Sequence, residues 1–194
     1  MELNKISLDI TQNEFDGITS KKNFGNDVII GEVGEKLFKQ YLTEYKGLLF
    51  IRKSEDRKDL KKWDLEFLFK DKVVKYEIKT DVFIYPGKWI KPNGWDKKVW
   101  VKGKDTGNIF IEFHSRGVES GISSTTSDVW VNIFFHLNEI WIIMVDELKK
   151  LIEQNKFRIA EESGDVNSHT KGYLIPREKF KEYFKVVKYE MVVN

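Results

Sequence analysis

Hydrophobic and charged residues alternate along Lys62–Asp81, K-W-D-L-E-F-L-F-K-D-K-V-V-K-Y-E-I-K-T-D, and a period of two leaves a chain little choice but strand. Trp63, Leu65, Phe67 and Phe69 fall on one face, with Asp64, Glu66 and Leu68 on the other. Beyond the charged turn Lys70-Asp71-Lys72, Val74, Tyr76 and Ile78 oppose Val73, Lys75, Glu77 and Lys79. Two short strands joined by a tight turn predict a hairpin. A loop of two or four residues brings Asp64 onto the face of Glu77 and Lys79, opposite one of them. A one-residue slip would turn it away.

Acids and a lysine on inward-facing strand ends are costly unless something compensates them. Two carboxylates can hold a hard divalent cation: Mg²⁺ takes a few carboxylate oxygens and keeps waters that a phosphate can replace. A nearby ammonium can orient or acidify one of those waters. The chain has no cysteine, and its three histidines, His114, His136 and His169, are scattered. Any metal should therefore sit on oxygen ligands. The lack of cysteine also fits a reducing compartment, and a cytoplasmic location is the expectation.

Ahead of the hairpin, a helix is predicted from Asn26 to about Lys46, with Gly47 ending it. Gly34, Leu37, Phe38, Tyr41, Leu42 and Tyr45 form its apolar stripe. Glu35 lies at the edge of that stripe, whereas Glu32 falls on the polar side. Gly31 and Gly34 each cost roughly 1 kcal/mol inside a helix, which implies close approach of a strand or a phosphate backbone.

The spacing of Asp64, twelve intervening residues, then Glu77-Ile78-Lys79 resembles the PD-(D/E)XK nuclease superfamily, with Trp63 where the motif name has Pro. The G-x-x-G-E pattern ending at Glu35 resembles the first helix of many of its members. The resemblance covers about residues 26–145. It implies an α/β fold with a restriction-endonuclease-like core, a central mixed β-sheet flanked by helices. The chain would be a single domain over 1–194, with an N-terminal arm (1–25) and a C-terminal helix and strand embellishment (146–194). It further implies Mg²⁺-dependent hydrolysis of DNA phosphodiesters, with Mn²⁺ able to substitute. Asp64, Glu77, the Ile78 carbonyl and Glu35 would hold the metal, and Lys79 would position the attacking water.

Other segments bear on the substrate. Between Lys88 and Lys104 six lysines, among them Lys88, Lys91, Lys97 and Lys98, are interleaved with Trp89, Trp95 and Trp100. This reads either as a nucleic-acid surface, cations on phosphates and rings on bases, or as a hairpin whose tryptophans anchor a core. A third strand, Gly107–His114, could add Glu112 to the acidic cluster. The Ser/Gly-rich loop through Ser124 and Thr125 is either a phosphate-holding loop or a plain connection. Glu112, Ser124 to Thr126 and Asp128 also resemble positions in the later strands of phage and bacterial nucleases of this class. The net charge of +2 favours no particular partner. No apolar run approaches the roughly 20 residues of a membrane span, and the first residues resemble no signal peptide. The expected partner is double-stranded DNA. Cutting both strands with one site per chain calls for a homodimer, whereas nicking does not. The competing reading is a catalytically inactive nucleic-acid-binding protein of the same fold.

Overall fold

The computed structural model describes residues 6–19, 24–54, 62–81, 88–90, 99–101, 105–163 and 169–194. β1 (Ile6–Ile10) and α1 (Gln12–Thr19) lead into α2 (Phe24–Gln40), which a π-helical turn (Tyr41–Tyr45) prolongs. β2 (Leu49–Lys53), β3 (Leu65–Phe69) and β4 (Lys72–Asp81) follow, then the short β5 (Lys88–Ile90) and β6 (Val99–Val101). Next come β7 (Asn108–Ser115), β8 (Val118–Glu119), β9 (Val129–Phe134), β10 (Glu139–Met144) and α3 (Val145–Gln154). β11 (Arg158–Ser163), β12 (Thr170–Pro176), α4 (Arg177–Phe180) and β13 (Lys185–Val193) complete the order.

The class is α/β with a mixed central sheet. Seven strands run in the order β1-β13-β10-β9-β4-β3-β2, with β1/β13 and β4/β9 parallel and the other neighbours antiparallel. A second sheet, β11-β12-β7-β8, stands apart from it, as does the β5/β6 pair. The strand alternation read from sequence sorts β4 between two cores. Tyr76 and Ile78 join Val33, Leu37, Phe38, Tyr41 and Leu42 of the α2 segment on one face. Across the sheet, Trp130, Phe134, Trp141 and Ile143 pack with Ile109, Ile111 and Ile175 of the smaller sheet and with Leu148 and Leu151 of α3.

The hairpin closes through two residues, Lys70 and Asp71, both in the left-handed region at φ +47° and +63°, with Phe69 paired to Lys72. Two consecutive positive φ values match the right-handed twist of the flanking strands. Gly47, at φ +63°, lies just past the π turn and ends the helical segment, as its sequence position predicts.

Several elements differ from expectation. The C-terminal strand β13, expected as part of an embellishment, is internal to the main sheet, because β1 from the N-terminal segment pairs alongside it in parallel. That segment is correspondingly part of the core, with Ile10 and Ile18 buried. Tyr45 leaves the apolar stripe and is exposed, because the π turn shifts the angular register of the helix end; its hydroxyl accepts from Ser7 N instead. β7 joins the smaller sheet, not the hairpin.

Gly34 is required by packing and Gly31 is not. A Cβ at Gly34 would stand 1.9 Å from Thr80 Cγ2, whereas one at Gly31 would meet nothing within 4 Å. Thr80 is β-branched and stiff on its strand, so α2 must shift to admit a methyl. Gly34→Ala is expected to cost about 1–3 kcal/mol, and Gly31→Ala to stabilise by up to about 1 kcal/mol. Urea unfolding midpoints of the two variants will check the opposite signs.

Candidate active site

The first residue beyond the β3/β4 ladder is Asp64. The last ladder pair is Leu65 with Tyr76, so one further step sets Asp64 across from Glu77, as a two-residue loop demands. Its backbone N–H donates to Tyr76 O at 2.8 Å, and its Oδ2 accepts from the Ile78 N–H at 2.6 Å. Glu77 is buried and its Oε1 pairs with Lys79 Nζ at 2.7 Å. Lys79 also lies over the Trp130 ring, 5.9 Å from its centroid, and keeps 39% of its side chain exposed. The Asp64, Glu77 and Lys79 side chains thus meet where the two cores run out at the open end of the hairpin.

The electrostatics follow from crowding. Burial raises the Asp64 pKa, the negative charge of Glu77 raises it further, and Lys79 and the Ile78 N–H oppose them; the outcome is about 7. Burial works against the Lys79 charge, but Glu77 and Asp64 prevail and hold its pKa above the ordinary lysine value, with Glu112 adding to the effect. Glu112, half-buried on β7, therefore lies within electrostatic range of Lys79 although its strand belongs to the other sheet. Glu35, projecting from α2, is within range of Asp64 as well. Its Oε2 is paired to Lys53 Nζ at 2.6 Å, and Glu32 is exposed.

The Ser/Thr loop faces inward. Thr125 is buried; its Oγ1 lies 2.8 Å from Lys62 O and 3.2 Å from Glu77 Oε2, and accepts from Ser127 N. Ser127 Oγ and Thr126 N also donate to Lys62 O. Two donors, Ser127 Oγ and Thr126 N, fix the carbonyl two places before Asp64, and the single Thr125 hydroxyl proton is shared between that carbonyl and Glu77 Oε2. Ser124 Oγ is buried without a hydrogen-bond partner among the described residues. Asp128 accepts from Lys75 N at 2.8 Å and bridges β4 to β9. Lys88 and Trp89 are placed on β5, across from Val101 and Trp100. Lys91, Trp95, Lys97 and Lys98 lie outside the described residues.

Sequence reasoning missed three contacts. Lys53 compensates Glu35, the Lys62 carbonyl collects the loop donors, and Arg52 and Lys75 gather on Glu66. The Lys53–Glu35 and Lys62–loop contacts join residues far apart in the chain, whereas Glu66 and Lys75 oppose each other through the same hairpin register that aligns Asp64 with Glu77.

Among the described residues, no three Asp, Glu, His or Cys side chains converge so as to hold a metal ion by themselves. Asp64 and Glu77 still fit a hard cation in kind: two carboxylates close enough to raise the pKa of one of them form an excess of negative charge that a divalent ion would relieve. With Mg²⁺ keeping several waters, two carboxylates suffice. Comparison with protein-family models, with curated proteins and with solved structures returns no significant match. Among the described residues, no helix is long and apolar enough to cross a membrane.

The raised Asp64 pKa makes stability depend on pH. Between about pH 4 and pH 7 the folded chain keeps a proton on Asp64 that the unfolded chain releases, so this carboxyl makes folding less favourable as pH rises through that window. Asp64→Asn, which keeps an oxygen for the Ile78 N–H, is expected to remove that decline and to be more stable than the native chain at pH 7.5. Thermal melts of both proteins across this range will show whether the two curves converge at low pH.

Proposed function

We propose that this chain is a Mg²⁺-dependent nuclease with a restriction-endonuclease-like core, hydrolysing DNA phosphodiester bonds. The observation that carries the reading is the junction of Asp64 with Glu77-Ile78-Lys79 at one end of a hairpin, beside a helix presenting Glu35. Asp64 and Glu77, with the Ile78 carbonyl, would hold the metal. When bound, Mg²⁺ supplies charge stabilisation to the phosphate and an acidified water.

The chain's own groups have separable tasks. Lys79 is charged at neutral pH and its ammonium lies against Glu77, where it can donate to a water or to a phosphate oxygen as negative charge develops. Asp64, with its pKa near 7, is poised between holding and releasing a proton at physiological pH. Thr125 keeps Glu77 aligned with the Asp64 segment. Glu35, neutralised by Lys53, completes the acidic rim from α2. Duplex DNA is the proposed partner and the homodimer belongs to the same proposal; the β5/β6 segment, with Lys88 and Trp89, would lie along the duplex.

A second reading has its own support. Lys79 and Lys53 already neutralise Glu77 and Glu35 without metal, which suits a catalytically inactive nucleic-acid-binding protein of the same fold. Plasmid incubation decides between them. The native chain is expected to cleave with Mg²⁺ or Mn²⁺ and not with chelator. Asp64→Ala and Lys79→Ala are expected to lose at least about 100-fold in rate while remaining folded and DNA-bound. Cleavage that persists in either variant, or in chelator, removes the nuclease reading.

A further inference from the structure

Lys53 reaches the proposed site because β2 is bulged. Leu49 and Phe50 pair with Leu68 and Phe67, but Arg52 and Lys53 pair with Glu66 and Leu65. An unbroken ladder would set Arg52, not Lys53, across from Leu65. The extra residue shifts the end of β2 by one place, and such a bulge re-aims the side chains beyond it. Lys53 thereby takes the face of Leu65, which shares a core with the α2 segment, and its ammonium meets Glu35 there. The next residue ties this strand end to the site: Ser54 N donates to Asp64 O at 2.9 Å.

This ion pair differs in kind from the one beside it. The Glu77 side chain is 5% exposed and also lies against Thr125, so its pair with Lys79 is covered on the acid's side. Glu35 keeps 20% of its side chain exposed and Lys53 keeps 43%. Glu35 Oε2 is itself buried, and among the described residues it has no hydrogen bond beyond its contact with Lys53. Burial works against the Lys53 charge, yet Glu35, and after it Glu32 and Asp64, hold its pKa above the ordinary lysine value. One ammonium on a flexible stem thus neutralises an acid of α2 while staying in range of Asp64. A pair this open to water is weak, worth about fivefold at most in an equilibrium, and the stem can turn out to solvent. A divalent ion attracts the same carboxylate twice as strongly as an ammonium at equal distance.

We infer that Lys53 sets the metal affinity of the proposed site: its ammonium holds Glu35 in the metal-free chain, and a divalent cation at Asp64 and Glu77 competes with it for that carboxylate. The cation rests on the nuclease reading; the contact of Lys53 with Glu35 does not. Lys53 acts through Glu35 and touches no substrate, so it is a positioning residue rather than a catalytic one. The site gives up some metal affinity and in return keeps an acid of α2 compensated when the ion is absent.

The test is Mn²⁺ binding to the full chain without nucleic acid, read from the paramagnetic resonance signal of the free ion. At about 0.15 M salt, longer-range charge effects are screened. Lys53→Met is expected to bind about fivefold more tightly than the native chain, and Lys53→Arg, which keeps the charge, to stay within about twofold of it. In a Glu35→Gln background, Lys53→Met is expected to change affinity by less than about twofold, because the acid for which ion and ammonium compete is gone. Thermal melting checks folding, and Lys53→Gln replaces Lys53→Met if the latter does not fold. Native affinity in folded Lys53→Met overturns the inference, as does a gain that is undiminished with Glu35→Gln. The nuclease reading fails separately. Absence of Mn²⁺ binding in the native and Lys53→Met chains alike removes the cation site, and the role of Lys53 with it. Mn²⁺ binding tuned by Lys53 without plasmid cleavage removes the nuclease and leaves the role of Lys53 standing.

Discussion

Two carboxylates facing each other across a hairpin, within a fold that keeps water largely away, set the terms for the rest of the site. Asp64 and Glu77 repel, and burial penalises both; the raised pKa of Asp64 records that cost. The arrangement persists because Lys79 lies against Glu77 and because the Ile78 N–H is directed at Asp64. All of it depends on register. A two-residue turn with both φ values positive fixes which residues oppose one another, and a slip by one would send Asp64 to the α2 face, among apolar side chains.

The surrounding structure follows from giving β4 two different faces. One is sealed by α2, brought within van der Waals contact by Gly34 against Thr80. On the other face of the sheet, the smaller sheet and α3 close over Trp130 of the neighbouring β9 and Trp141 of β10. Of the charged residues on this face of β4, Glu77 is buried while Lys75 and Lys79 keep part of their side chains exposed. There electrostatic effects are stronger than in water, yet a ligand can reach the groups. The inward-turned Ser/Thr loop acts as scaffold, its donors converging on the Lys62 carbonyl.

What could be read in the sequence was local. Period-two alternation gave the faces of β3 and β4 and put Asp64 on the face of Glu77 and Lys79, while the choice of Glu77 as its partner came from the two-residue turn in the structure. The helical period separated Glu35 from Glu32, and the glycine at position 34 announced a close approach. Long-range pairing was not legible. Nothing in V-V-K-Y-E-M-V-V says that an N-terminal strand will flank it, and nothing in Arg52 or Lys53 points to Glu66 or Glu35. The Ser/Thr loop had the composition of a phosphate-holding loop, yet Thr125 is turned toward Lys62 and Glu77. Residue type shows what a side chain can donate, whereas the fold decides to which partner.

Calorimetric titration of Mg²⁺ into the native chain, at about pH 6 and about pH 8 and in two buffers of different ionisation enthalpy, reaches the central claim most directly. If Asp64 and Glu77 are a cation site whose burial and mutual repulsion keep a proton on Asp64 near neutrality, binding should be weaker at the lower pH and release a proton there, with little release at the higher pH. Asp64→Asn should abolish both binding and release. Failure to bind at either pH, or binding with no proton release that survives Asp64→Asn, would contradict the account.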